Sequence, residues 1–249
     1  MPALFVSHGA PTTALERDSA FARDLRGFVR GLPERPRAIA IVSAHWQTRG
    51  TAVTGAAWLE TIHDFGGFPQ ALFDIQYPAR GDPELARRIA EQTGGEVDPR
   101  RGLDHGAWTP LLLGFPEADV PVVQVSLPYR ADPFALGNQL APLRDEGVLV
   151  IGSGAMTHNL GAIAEGPPPK WAREFDAWIG EKVAAMDLTA LRAWRTSAPH
   201  GTLAHPTTEH FDPLLVALGA ARPGDRARLV HEGFQFGSLS MRTFAVEPT

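Results

Sequence analysis

Ala38-Ile39-Ala40-Ile41-Val42-Ser43-Ala44-His45-Trp46 is the stretch on which the fold turns. Its first residues are apolar at odd and even positions alike, so both faces of a strand there would be buried, as in a parallel sheet covered on two sides. Ala3–Val6, Val120–Val125 and Val148–Ile151 have the same character. Helical spacing fills the intervals. Ala20–Arg30 sets Phe21, Leu25, Phe28 and Val29 on one face, and Trp171–Met186 does the same with Trp171, Phe175, Trp178, Ile179, Val183 and Met186. Asp82-Pro83, Asp132-Pro133 and Asp212-Pro213 each have the form of an N-cap followed by proline in the first turn. Ala227–His231 and Leu239–Val246 read as strands again. Strands alternating with helices predict an α/β fold: a central, mostly parallel or mixed sheet with helices on both faces. No internal repeat is present. Pro167-Pro168-Pro169 is too short for a linker, so residues 1–249 are expected to form a single domain.

Composition narrows the function. There are 23 Lys and Arg against 28 Asp and Glu, a formal charge of −5, which argues against nucleic acid and anionic membrane as partners. The N-terminus lacks a basic segment before its apolar run and no stretch is long enough to span a bilayer, so the cytoplasm is the expected location. With no cysteine, disulfides, thiolate nucleophiles, Fe–S clusters and cysteine-type zinc sites are excluded. A bound metal would have nitrogen and oxygen ligands, and nine histidines are available.

Their placement is informative. His8 follows the first strand, His45 the second, and His158 lies in Gly152-Ser153-Gly154-Ala155-Met156-Thr157-His158-Asn159, which leaves the fourth. Open α/β sheets bind ligands beyond the carboxyl ends of their strands. Singly, each histidine reads as a hydrogen-bonded polar residue; three at three strand ends read as a site. His205 and His210 bracket a turn ahead of Asp212, and His105 precedes Gly106-Ala107-Trp108. His63 belongs to a glycine-containing turn that would serve as a loop or a lid. His200 and His231 read as surface or packing residues.

These segments, taken in order, resemble one family. Ser7-His8-Gly9-Ala10-Pro11, Ser43-Ala44-His45-Trp46, His63-Asp64-Phe65-Gly66-Gly67-Phe68-Pro69, Gly102-Leu103-Asp104-His105-Gly106-Ala107-Trp108, His205-Pro206-Thr207-Thr208-Glu209-His210-Phe211 and Phe236-Gly237-Ser238-Leu239-Ser240-Met241-Arg242 look like successive signatures of the class III extradiol ring-cleavage dioxygenases. The branch is the DOPA-dioxygenase type of the LigB superfamily. The resemblance implies non-haem Fe(II), with zinc sometimes found in its place, and cleavage of a catechol ring with O2. It implies His8, His45 and His210 as metal ligands, Glu209 being the alternative to His210. His158 matches an acid/base histidine or a fourth ligand, and His105 one that faces substrate or oxygen.

Such chemistry suits these residue types. Neutral imidazoles hold a metal without cancelling its charge, so a chelated catechol gives up its proton more readily. A nearby base, for which His158 is the candidate, accepts that proton and returns it. His105 would hydrogen-bond developing charge, and Asp64, Asp104 and Asn159 are candidates to orient the ligand rings. Trp46, Phe65, Phe68, Trp108 and Tyr129 are candidate pocket aromatics, and Arg130 a candidate partner for a substrate carboxylate. Two other readings use the same histidines: a zinc hydrolase, which lacks a His-Glu-x-x-His pattern here, and a non-enzymatic metal- or ligand-binding protein, which would not need His105 and His158. The expected partners are a small catechol and O2, with the chain a monomer or small homo-oligomer.

Overall fold

A computed structural model describes residues 1–248; Thr249, the end of the expected domain, lies outside them. Its strands in chain order are β1 (Ala3–Ser7), β2 (Ala38–Thr48), β3 (Ala52–Thr54), β4 (Glu96–Asp98), β5 (Val122–Pro128), β6 (Val148–Gly154), β7 (Asp225–His231), β8 (Phe234–Gln235), β9 (Leu239–Ser240) and β10 (Thr243–Pro248). Eight of them form one sheet in the order β4-β3-β5-β2-β6-β1-β10-β7. The four apolar runs make its centre: β5, β2, β6 and β1 are mutually parallel, and β10 and β3 join them antiparallel on either side. The sheet is thus mixed with a parallel middle.

Burial of both faces is visible residue by residue. Ala3, Phe5, Ala38, Ala40, Val42, Val148 and Val150 enter one core, while Leu4, Val6, Ile39, Ile41, Leu149 and Ile151 enter the other. The Ala20–Arg30 and His105–Gly114 helices cover the second core; the Pro83–Thr93, Lys170–Ala184 and Asp212–Gly219 helices cover the first. Among the described residues no helix is long and apolar enough to cross a membrane.

Three departures from the expected elements bear on the site. β2 runs on to Thr48, and its pairing with β5 slips between Val42 and Gln47, so Ser43–Trp46 bulge out of that ladder. Bulges re-aim side chains, and this one carries His45. The expected Leu239–Val246 strand divides into β9 and β10, because Arg242 turns aside to pair with the buried Asp176 at 2.7 Å. Asp82 and Asp132 do cap their helices, accepting from the backbone N–H of Leu85 and Phe134. Asp212 does not: Phe211 occupies the cap position, and the Asp212 carboxylate accepts from the Thr208 hydroxyl one turn earlier.

Candidate metal centre

β1 and β6 deliver the first histidine together. The backbone N–H of His8 donates to the Gly154 carbonyl, extending the parallel ladder by one residue, and Gly9, at φ +70°, then turns the chain away. The His8 ring is buried. Its Nδ1 lies 3.0 Å from Ser153 Oγ, whose own proton is donated to the Gly106 carbonyl. Ser153 therefore accepts, His8 carries its proton on Nδ1, and Nε2 is left as a lone pair.

His210 reaches the site because β6 carries glycines. A Cβ on Gly152 would overlap the Pro213 carbonyl oxygen and one on Gly154 that of His210, so only glycine lets the 210–213 segment lie against the strand. The His210 carbonyl accepts from the Ala155 N–H at 2.9 Å. Its ring Nδ1 is 3.1 Å from Glu209 Oε1; a carboxylate only accepts, so again Nε2 is the free lone pair. His45 turns Nδ1 toward Asp64 Oδ2 at 3.6 Å.

The three Nε2 atoms meet. That of His45 lies 3.2 Å from that of His8 and 3.2 Å from that of His210. With Nδ1 protonated on His8 and His210, their Nε2 lone pairs both face His45 Nε2. Two nitrogens on one ion with bonds of about 2.0–2.1 Å stand about 3.0–3.4 Å apart, so the donor set fits a metal. Burial, reinforced by the neighbouring imidazoles, holds His8 and His210 well below the usual histidine range, and burial takes His45 down to about 3. All three are neutral near pH 7, the form that binds metal.

His105 and His158 complete the cluster. The donor atoms of His8, His45 and His105 lie within 4.8 Å of one another, as do those of His158, Glu209 and His210. Asp104 caps the His105–Gly114 helix and is itself fully buried, accepting from Ser43 Oγ and Gln124; it binds the helix start to the β2 bulge. His105 Nδ1 is 2.9 Å from Asp64 Oδ1, and its backbone N–H donates to the same oxygen. That contact with His105 holds the Asp64 carboxyl down at about 2, against burial. The His158 ring lies flat on His210, centroids 3.4 Å apart, and its nitrogens have no hydrogen bond to any described residue. Burial, partly opposed by Glu209, lowers its basicity.

The remaining candidates divide. His63 donates through Nε2 to the Ile75 carbonyl at 3.0 Å and packs among Phe65, Phe73 and Trp108. His205 is fully buried and donates to the Met156 carbonyl. His200 pairs with Glu174 and His231 with Asp24. Asn159 bonds the Leu203 carbonyl, away from the imidazoles. A cavity of about 360 Å³ opens over His8, His45, His105 and His158. Of the five suggested aromatics only Phe68 lines it; Trp46 packs under Arg101, Trp108 donates to the Ile62 carbonyl, and Tyr129 and Arg130 lie outside its lining. The sequence reading missed Ser153, whose place between two glycines at a strand end was the available signal, and the apolar lining residues Leu160, Ile163 and Leu239, which nothing local distinguishes from core.

Fold and site together define an α/β protein with a buried histidine cluster, gathered beyond the ends of parallel strands, that could hold a metal ion. The chain belongs to the LigB family of extradiol ring-opening dioxygenases: residues 1–245 match the model described as the catalytic LigB subunit of aromatic ring-opening dioxygenase. It is 42% identical to a 4,5-DOPA dioxygenase extradiol of Escherichia coli K12, over 97% of this chain and 93% of that one. A protein of the same name from Beta vulgaris is 40% identical, over 98% and 96%. The crystal structure of an uncharacterized protein from Escherichia coli K12 superposes with a TM-score of 0.84 at 36% identity, covering 99% of this chain and all of that one.

Proposed function

We propose that residues 1–249 act as one catalytic domain that opens the ring of a catechol beside its hydroxyls with O2, on an Fe(II) ion held by Nε2 of His8, His45 and His210. The observation that carries this reading is the meeting of three Nε2 atoms, each ring turning its Nδ1 toward Ser153, Asp64 or Glu209. It favours His210 over Glu209 as the third ligand, since the carboxylate is engaged with His210 Nδ1 and Thr207. DOPA, the substrate in the relatives' names, contains a catechol, and the catechol is the unit carried over here.

When bound, Fe(II) supplies the electronic path between a chelated catechol and O2 and acidifies the bound hydroxyl. The chain's own groups manage protons and position. His158, neutral and free at both ring nitrogens, accepts the hydroxyl proton at the cavity wall and returns it to the product. His105, fixed by Asp64 at Nδ1, presents Nε2 to the same space; in the neutral ring that atom accepts, and it donates once the ring takes up a proton. Phe68 and the apolar wall keep water from the reacting oxygen.

The test is to load the protein anaerobically with Fe(II), add a catechol and admit O2. One O2 should disappear per ring opened, with both atoms in a yellow product, and compounds without adjacent hydroxyls should stay intact. His8→Ala, His45→Ala and His210→Ala should each lose metal and turnover. Full metal content in His210→Ala would move the third ligand to Glu209 or His158. Hydrolysis of an ester, amide or phosphoester without O2 uptake would put a zinc hydrolase first, and metal binding without either reaction would leave a binding protein.

A further inference from the structure

The cavity's walls are chemically uniform. Beyond the histidines and Ser240 its lining is apolar, with Pro11, Phe68, Leu160, Ile163, Phe236 and Leu239 supplying the large side chains. No lysine, arginine, aspartate or glutamate is among the described lining residues. The charged groups nearby are engaged: Asp64 with His105, Glu209 with His210, and Arg242 with Asp176 and Glu232. Ser240 gives its hydroxyl proton to Asp176.

The mouth is apolar as well. Leu160 is 64% exposed, Ile163 40% and Phe236 45%. Scattered exposed apolar residues are ordinary, but a contiguous group at a cleft marks a contact surface. These three belong to one built rim. The Ala164 N–H donates to the Phe236 carbonyl, and Ser238 Oγ donates to the Ala162 carbonyl. Gly237, at φ +69°, brings its backbone against the Ala164 carbonyl, where a Cβ would stand 2.5 Å from the oxygen.

We propose that the preferred substrates are catechols bearing an uncharged apolar substituent, such as an alkyl chain, on a ring carbon away from the hydroxyls. This rests on the catechol-cleaving reading above. With the hydroxyls at the histidines, the substituent leaves along Leu239 and lies against Leu160, Ile163 and Phe236. The cavity volume is at the low end of the range of about 300–1,000 Å³ for small-molecule sites, so a bare ring leaves part of the apolar wall wet and a chain covers it. A carboxylate or ammonium on that substituent finds no opposite charge in the lining and gives up hydration at this wall.

The experiment uses Fe(II)-loaded protein and the series catechol, 4-methylcatechol, 4-propylcatechol and 4-butylcatechol, set against 3,4-dihydroxyphenylacetate and L-DOPA. Two quantities are read: kcat/KM from O2 uptake, and Kd by anaerobic calorimetry. Each added methylene should raise kcat/KM and tighten Kd roughly three- to fourfold until the rim is covered, with both charged compounds at least about tenfold below 4-propylcatechol. Leu160→Ser/Ile163→Ser/Phe236→Ser should flatten the series in both readouts. A flat series in the unmodified protein, or preference for a charged compound, overturns the inference and leaves ring cleavage standing. If no catechol is opened but Kd still tightens with chain length, the reaction assignment fails and the apolar site survives. A wild-type series that persists undiminished in the triple variant overturns the assignment to this rim.

Discussion

His158 and His205 lie on either side of one strand exit, and their surroundings give them opposite work. His158 faces the cavity with both ring nitrogens free, while the buried His205 hangs from the Met156 carbonyl among Phe175, Trp194 and Phe211. A base is dispensable for holding metal and required for moving a proton, so His158→Ala should keep iron by metal analysis and lose roughly 10²–10⁴-fold in turnover. The loss should shrink for nitrocatechols, which arrive deprotonated; a variant that also loses iron would make His158 a ligand. For His205, burial lowers the pKa from the usual 6.5 to about 3. The unfolded chain therefore takes up a proton first as pH falls. Stability from the neutral ring is present above pH 6.5 and is lost as pH drops toward 3, with a slope of up to about 1.4 kcal/mol per pH unit. His205→Gln keeps a donor for Met156 without a titrating ring. Urea unfolding at pH 7, 6 and 5 should show its stability falling with acid less steeply than wild type, by up to that slope; parallel curves would mean His205 does not bear the load. In sequence His158 was marked by following a strand, whereas His205, in a turn beside His210, carried no sign of which of the two histidines would face the site. Exposure to a cavity separates them, and exposure is a property of the packed fold.

At the scale of elements, the strand centres were legible because two-sided burial demands unbroken apolar runs, and the helix of Ala20–Arg30 because its apolar residues recur at helical spacing, a start that Ser19 caps in the structure. The strand ends were less so. The bulge that aims His45 and the break between β9 and β10 depend on β5 and on Asp176, far away in sequence. Asp212-Pro213 carried a capping signal that its surroundings overrode, Thr208 taking the carboxylate. The Gly152-Ser153-Gly154 end of β6 combines local and distant constraints: its glycines admit the His210–Pro213 backbone and its serine fixes His8. A methyl group at Gly154 must push the His210 carbonyl aside. Gly154→Ala should thus weaken metal binding by roughly 10- to 100-fold, the effect typical of losing a group that orients a ligand, while circular dichroism stays near wild type. Metal titration checks it, and wild-type affinity would show that the segment yields without moving the ring.

Across the whole molecule, the two ends of the chain are held by a residue that no motif marks. Arg144, fully buried, donates to the Met1, Ala220 and Val246 carbonyls and pairs with Asp225 at 2.6 Å, joining the N-terminus, the end of the Asp212–Gly219 helix, β7 and β10. Its partners lie from 76 to 143 residues away in sequence, which is why reading along the chain could not find it. Asp225 has a second donor in the Arg222 backbone N–H, yet its side chain is almost as buried as the arginine. Removing the guanidinium leaves a buried carboxylate without its cation and several carbonyls without donors. Breaking a buried pair in that way costs about 3–5 kcal/mol, a large part of the total stability of an ordinary domain. Arg144→Met should therefore lower the unfolding midpoint sharply, and Arg144→Met/Asp225→Asn should recover part of the loss because the stranded charge is gone. The mutation lies at the amino ends of the parallel strands, opposite the imidazoles. Metal content and kcat/KM per folded molecule, measured well below the new midpoint, should then stay near wild type. A loss of metal in proportion to the loss of stability would mean that the two ends of the sheet are coupled, and that the histidine geometry is maintained by the closure of the chain ends as well as by its local contacts.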